Sequence, residues 1–103
     1  MLITEQMHTL SNLVLQYLHT LPNGTEITTE EAMRQACVTQ DEPIYADWDL
    51  CEWHELHCVV MQRAPRQGLV LDDSKYADQV TGLLHRIPYV VKHTRRYQTQ
   101  IRT

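Results

Sequence analysis

Ile3, Met7, Leu10, Leu13, Val14, Tyr17, Leu18 and Leu21 recur at steps of three and four residues, which lays them along one side of a helix. The Thr4 hydroxyl can cap its start, and Pro22-Asn23-Gly24 stops it after roughly 17 residues. Such a stripe predicts core packing ahead of a coiled-coil or partner-binding face. Thr25-Glu26-Ile27 follows as a turn or a very short strand. Thr28 and Glu31 have capping-box spacing, in which each side chain satisfies an orphan N–H of the first turn. The second helix, EEAMRQACV, then turns Ala32, Met33, Ala36 and Cys37 inward, and Thr39 to Pro43 end it.

A third helix is predicted from about Asp47 to Arg63, with Pro65 beyond it. At about 100° per residue, Trp53, Val60, His57, Leu50, Met61, His54, Cys58 and Cys51 fall on one half of its wheel. Glu55, Glu52, Gln62, Arg63 and Asp49 fall on the other, but Trp48, Leu56 and Val59 lie among them. A helix apolar on one broad side and spotted with large apolar groups on the other is central to its fold or also meets a partner. After Arg66-Gln67-Gly68, the run Leu69-Val70-Leu71 suits a buried strand. Asp72, Asp73 or Ser74 can cap a fourth helix with Tyr76, Ala77, Val80, Leu83, Leu84 and Ile87 on one side, Gly82 opposite and Pro88 at its end. Tyr89 to His93 has the β-branched and aromatic content of a strand.

The periods add up to an α+β domain, mainly helical, with four helices and a small sheet of two or three strands from residues 69–71, 89–93 and 25–27. Helix three is expected at its centre, touching helices one and four. Strand direction stays open. With 103 residues, 43% hydrophobic and 21% charged, the chain has the makings of one ordinary domain that needs no metal or disulfide staple. Residues 1–94 are read as that domain and 95–103 as a basic tail that frays. No apolar run reaches the roughly 18 residues of a membrane span, and MLITEQMHTL lacks the basic start and apolar block of a signal peptide. Three cysteines, Cys37, Cys51 and Cys58, show no extracellular spacing. A cytoplasmic protein with free thiols is expected.

The net charge of −4 hides a split. Residues 1–61 carry ten carboxylates against Arg34, giving −9, whereas residues 62–103 carry eight Lys or Arg against Asp72, Asp73 and Asp78, giving +5. Such a split can steer a partner or bring two copies together, but it most simply lets the two halves attract within one monomer.

Candidate chemistry concentrates in DLCEWHELHC, Asp49 to Cys58. Thiolate and imidazole are zinc's preferred ligands, and Cys51, His54 and Cys58 stand at steps of three and four. They span nearly two turns, however, so an ion would need distant donors such as His8, His19, Cys37, His85 or His93. His54-Glu55-Leu56-His57 also has one residue too few for HExxH. Cys51 or Cys58 beside His54 could form a thiolate pair, but both sit mid-helix among glutamates, which raise a thiol pKa. Inward packing of Cys51, His54, His57 and Cys58 as the apolar flank of a central helix is the favoured reading, with no cofactor, metal or catalytic residue.

The element order resembles a winged helix, whose third helix enters the major groove. Here that helix carries Asp47, Asp49, Glu52 and Glu55, which phosphate repels, and a fourth helix stands where the wing should be. The basic end, Lys92, Arg95, Arg96 and Arg102 with Tyr97 between, is what remains for nucleic acid. The run HRIPYVVKHTRRY, after a set of short helices, is similar to small uncharacterised proteins encoded by enterobacterial prophages and genomic islands. The similarity covers the last quarter of the chain. It implies no activity and no site residues, and it raises the expectation of an accessory protein that binds another protein. The leading functional expectation is therefore a non-enzymatic interaction protein, or a homodimer, using Trp48, Glu52, Glu55, Leu56 and Val59 on the acidic outer side of helix three. A nucleic-acid-associated regulator using the basic tail comes second and a metal-binding protein third.

Overall fold

The computed structural model describes residues 5–37, 44–76 and 83–94. Three α-helices, α1 (Glu5–His19), α2 (Thr29–Ala36) and α3 (Leu50–Arg63), pack with a three-stranded sheet of β1 (Glu26–Ile27), β2 (Leu69–Asp72) and β3 (Tyr89–His93). None of these helices is long and apolar enough to cross a membrane. One contiguous core draws on all three helices and the sheet.

The stripe predicted for α1 is its buried face. Met7, Leu10, Val14 and Leu18 are enclosed, and Leu13, Tyr17 and Leu21 pack at the margin. Leu15, outside the stripe, is also fully buried, because α1 is covered on two sides by α2 and α3. Buried Ser11 ties α1 to α3: its hydroxyl donates to the His8 carbonyl at 2.8 Å and accepts from Arg63 Nη1 at 2.7 Å. Ile3 and Thr4 lie outside the described residues.

Thr28 caps α2, accepting the Glu31 N–H at 3.0 Å. The return arm of the expected box is missing, since the Glu31 carboxylate instead takes Gln35 Nε2 at 2.9 Å. The full box belongs to α3. Asp49 Oδ1 accepts from the N–H groups of Cys51 and Glu52 at 2.8 and 3.3 Å, and Glu52 Oε2 accepts the Asp49 N–H at 2.7 Å. The helix therefore starts at Leu50, and residues 44–47 form a separate 3₁₀ turn. A further 3₁₀ turn, Ala64–Gln67, carries Pro65 in its first turn and closes on Gly68 at φ 78°.

Both strand pairs are antiparallel, in the order β1-β3-β2. Leu69, Leu71, Tyr89 and Val91 face the core, while Val70 and its cross-strand partner Lys92 face outward, the period-2 alternation of a half-buried sheet. Gly24 and Thr25 extend the pairing of β1: the Gly24 N–H reaches the Val91 carbonyl and the Val91 N–H the Thr25 carbonyl, both at 2.7 Å. Gly24 has φ 95°, and a Cβ there would meet nothing within 4 Å, so only the backbone resists a side chain. Gly24→Ala should cost about 1 kcal/mol in urea unfolding. A neutral substitution would mean that the turn relaxes without strain.

The predicted fourth helix is not what the described residues form. Ser74–Tyr76 and Leu84–Arg86 are short 3₁₀ turns, and Ala77, Val80 and Gly82 lie outside the described residues. Asp72 belongs to β2 and is otherwise engaged: Oδ1 accepts the Ser74 N–H at 3.0 Å and Oδ2 holds Lys92 at 2.8 Å. At the far end Leu84 is exposed and His85 buried, the reverse of the expected amphipathic phase. Ile87, preceding Pro88, is extended, as the proline ring demands.

Candidate functional site

The inward stripe of α3 is Trp53, Leu56, His57 and Val60, continued by Ala64. These are the i, i+3, i+4, i+7 and i+11 positions of one helical face. That face sits between α1 on one side and α2 with the Leu84–Arg86 turn on the other. The consequence is a rotation relative to the sequence-based wheel. Leu56 and Val59, expected on the acidic outer side, are 0% and 2% exposed, so neither is available as a surface contact. Cys51 and Cys58, expected inward, are exposed, and Leu50 is 51% exposed.

Of the expected interface, Trp48, Glu52 and Glu55 remain at the surface, each half-buried. Trp48 packs edge-on to the Trp53 ring at 5.1 Å, and Tyr45 meets the same ring at 5.6 Å. The Arg34 guanidinium lies over Tyr45 at 5.5 Å. The solvent side of α3 thus presents Leu50, Cys51 and Cys58, with half-buried His54 and Met61 between them. Exposed Asp47 and Asp49 precede the helix, and half-buried Glu52 and Glu55 lie along one flank of these groups. The helix's one cation, Arg63, is turned away onto Ser11 and the His8 carbonyl of α1.

The histidines of the cluster go separate ways. His57 is buried, with Nδ1 2.8 Å from Thr29 Oγ1, which is in turn 2.9 Å from the Tyr89 hydroxyl. One consistent assignment has Tyr89 donating to Thr29 and Thr29 donating to neutral His57. Burial, helped by the neighbouring imidazoles of His85 and His54, pushes the His57 pKa down to about 4, and burial pushes Tyr89 up to about 12. Linking α3, α2 and β3 across the core, this chain of three polar side chains was not anticipated.

His85 is fully buried. Its ring stacks on Trp53 at 5.2 Å and 10°, and His54 meets it edge-on at 5.7 Å. Its Nε2 lies 3.8 Å from Glu30 Oε2. The Glu30 carboxylate is already shared, with Oε1 at 2.9 Å from Arg34 and Oε2 at 2.7 Å from Arg86, and the guanidiniums outweigh burial to hold its pKa below the usual range. Desolvation lowers the pKa of His85, Glu30 opposes it, and Arg86 and His54 reinforce it.

The candidate metal ligands of α3 point apart. Cys51 and Cys58 face solvent, His57 faces Thr29 and His54 faces His85. Among the described residues no three His, Cys, Asp or Glu side chains are placed to hold an ion. Cys37 is buried beside Met33 Sδ at 3.9 Å, and burial raises its thiol pKa.

Among the described residues two Lys or Arg ion pairs, Lys75–Glu26 and Arg86–Glu30, join the acidic and basic parts of the chain. Of the six cations among the described residues, Arg34 and Arg86 bind Glu30, Lys75 binds Glu26, Lys92 binds Asp72 and Arg63 binds α1. Tyr76 also donates to Glu26. Lys92 is therefore paired, and Arg95, Arg96 and Arg102 lie outside the described residues. No family model, curated protein or solved structure matches the chain.

Proposed function

We propose that this domain is a non-enzymatic interaction module that docks a cationic protein on the solvent side of α3. The observation that carries this reading is the make-up of that side: exposed Leu50, Cys51 and Cys58, with Asp47 and Asp49 ahead of the helix, Glu52 and Glu55 along one flank, and Arg63 withdrawn to α1. Apolar groups bordered by polar ones are a common interface arrangement. Through this face two copies would set Glu52 and Glu55 against their own kind, so it suits a partner bearing Lys or Arg better than a homodimer.

A specific observation favours a second reading. The order α1-β1-α2-α3-β2-β3, with β3 central in an antiparallel sheet, resembles that of a winged helix, in which α3 would take the reading position and β2 and β3 the wing. That supports a nucleic-acid-associated regulator in outline. Electrostatics weighs against it at α3, whose carboxylates repel phosphate, and most described cations already have protein partners, whereas duplex binding draws on several free ones. Nucleic-acid contact would fall to Lys92, Arg95, Arg96 and Arg102.

Crosslinking separates the two. With Cys51 changed to Ser, benzophenone carried on Cys58 should crosslink to protein in an extract of the native cell. The yield should drop about tenfold, the equivalent of ~1.4 kcal/mol, in a variant that adds Asp47→Lys and Leu50→Ser, with circular dichroism unchanged. A protein crosslink indifferent to those changes would sink the first reading. A duplex gel shift at low salt, lost when residues 95–103 are removed, would establish the second.

A further inference from the structure

His85 is enclosed, yet among the described residues neither ring nitrogen has a hydrogen-bond partner, and the neighbouring His54 Nε2 is buried without one as well. Buried polar atoms are nearly always satisfied, so two orphan nitrogens on one ring within a packed interface require a reason. The groups facing the ring come from three elements. From α3 there are the Trp53 indole, flat against it, and the edge of His54, with His57 further along the same helix and Asp73 acting on His57. From α2 there is Glu30, whose oxygens are held by Arg34 and Arg86, and from the ring's own turn there is Arg86.

A neutral imidazole fits this socket as a flat plug against the indole. An imidazolium would enter a site where two guanidiniums already offset the single carboxylate, with two more imidazoles nearby. The stacked indole attracts a cation, but that attraction is small beside the penalty of enclosing an uncompensated charge.

We propose that His85 is an acid-operated latch: neutral, it pins the Leu84–Arg86 turn between α2 and α3, and protonated, it leaves the socket and frees the turn. Opening uncovers the Trp53 face, and with it the flank of the Tyr45, Trp48 and Trp53 group. The sign follows from linkage. In the freed turn His85 titrates near the ordinary value of about 6.5, and in the socket it takes up a proton only at lower pH. The open population is therefore constant above that value. Below it the population rises up to about tenfold per pH unit until the socketed ring also protonates.

Amide exchange, corrected for the intrinsic effect of pH, reads this directly. The Arg86 and Ile87 N–H groups, bonded to the carbonyls of Leu83 and Leu84, should lose about tenfold in protection between pH 7.5 and 5.5, and at both pH values should be less protected than Val14 and Leu15 in α1, which exchange only when the whole fold opens. His85→Phe, which retains a flat ring on Trp53, should remove the pH dependence. The same loss in His85→Phe, or turn amides as well protected as those of Val14 and Leu15, would overturn the proposal. Should that variant not fold, the wild-type ring can be followed by NMR. A depressed His85 midpoint coinciding with the change at the Arg86 amide supports the latch, and an ordinary midpoint with no change at that amide refutes it.

Discussion

Leu56→Ser will remove most of the stability of the domain, whereas Cys58→Ser, two residues along the same helix, will leave it unchanged. Leu56 is 0% exposed within the core shared by α1 and α3. Deleting a buried leucine side chain to alanine costs about 2–5 kcal/mol through lost transfer energy and the cavity left behind. Serine adds a hydroxyl that the site cannot bond, worth another 1–3 kcal/mol or so. Against a total of roughly 5–15 kcal/mol for a typical domain, that sum leaves little. Cys58 is exposed, and its change should stay within about 0.5 kcal/mol. Urea unfolding followed by circular dichroism compares the two, with Leu56→Ala as a graded intermediate. Equal effects at both positions, or the larger one at Cys58, would mean that α3 is rotated back to the phase read from the sequence.

Acidification will destabilise the fold through His57. With an ordinary unfolded value of about 6.5 and a folded value pushed down to about 4, the unfolded chain binds the extra proton first. The stability that goes with a neutral His57 is fully present above pH 6.5. It falls as pH drops toward 4 and levels off below, for a loss of about 3 kcal/mol. His19 and His85, both lowered chiefly by burial, add to the same slope. Urea midpoints at pH 7.5, 5.5 and 4 should trace it. His57→Asn keeps a hydrogen-bonding group in reach of Thr29 and should flatten the curve while lowering stability at neutral pH. A wild-type stability that is level from pH 7.5 to 4 would contradict a neutral, enclosed His57.

How much of this was legible in the sequence depended on whether the signal was local. The stripe from Met7 to Leu18, the Thr28 cap, the Leu69 strand and the β-branched run at Tyr89 are each decided by neighbours within a turn or two, and each appears in place. The phase of α3 was not local. Apolar groups lie all round it, and only the packing of α1, α2 and the Leu84–Arg86 turn selects Trp53, Leu56, His57 and Val60 over Leu50, Cys51 and Cys58. The Asp49 capping box is written as D-x-x-E, but the apolar period running back past it predicts a longer helix from Asp47. The fourth helix failed at both described ends, where Asp72 was committed to the sheet and His85 to a socket built by residues about thirty to fifty positions earlier. The chain through His57, Thr29 and Tyr89 joins side chains 28 and 60 positions apart in sequence, which no period reports.

β1 and β2 each bond to β3 and not to each other. The middle strand is thus the last of the three described strands to be synthesised, and a ribosome-bound chain ending before Tyr89 has β1 and β2 without the strand that joins them. All three helices can form and collapse beforehand, but closure waits for a late insertion that also brings Tyr89 beneath Thr29 and His57. Nascent chains of this protein will therefore carry an open apolar seam until β3 emerges, the interval in which chaperones or self-association compete for it.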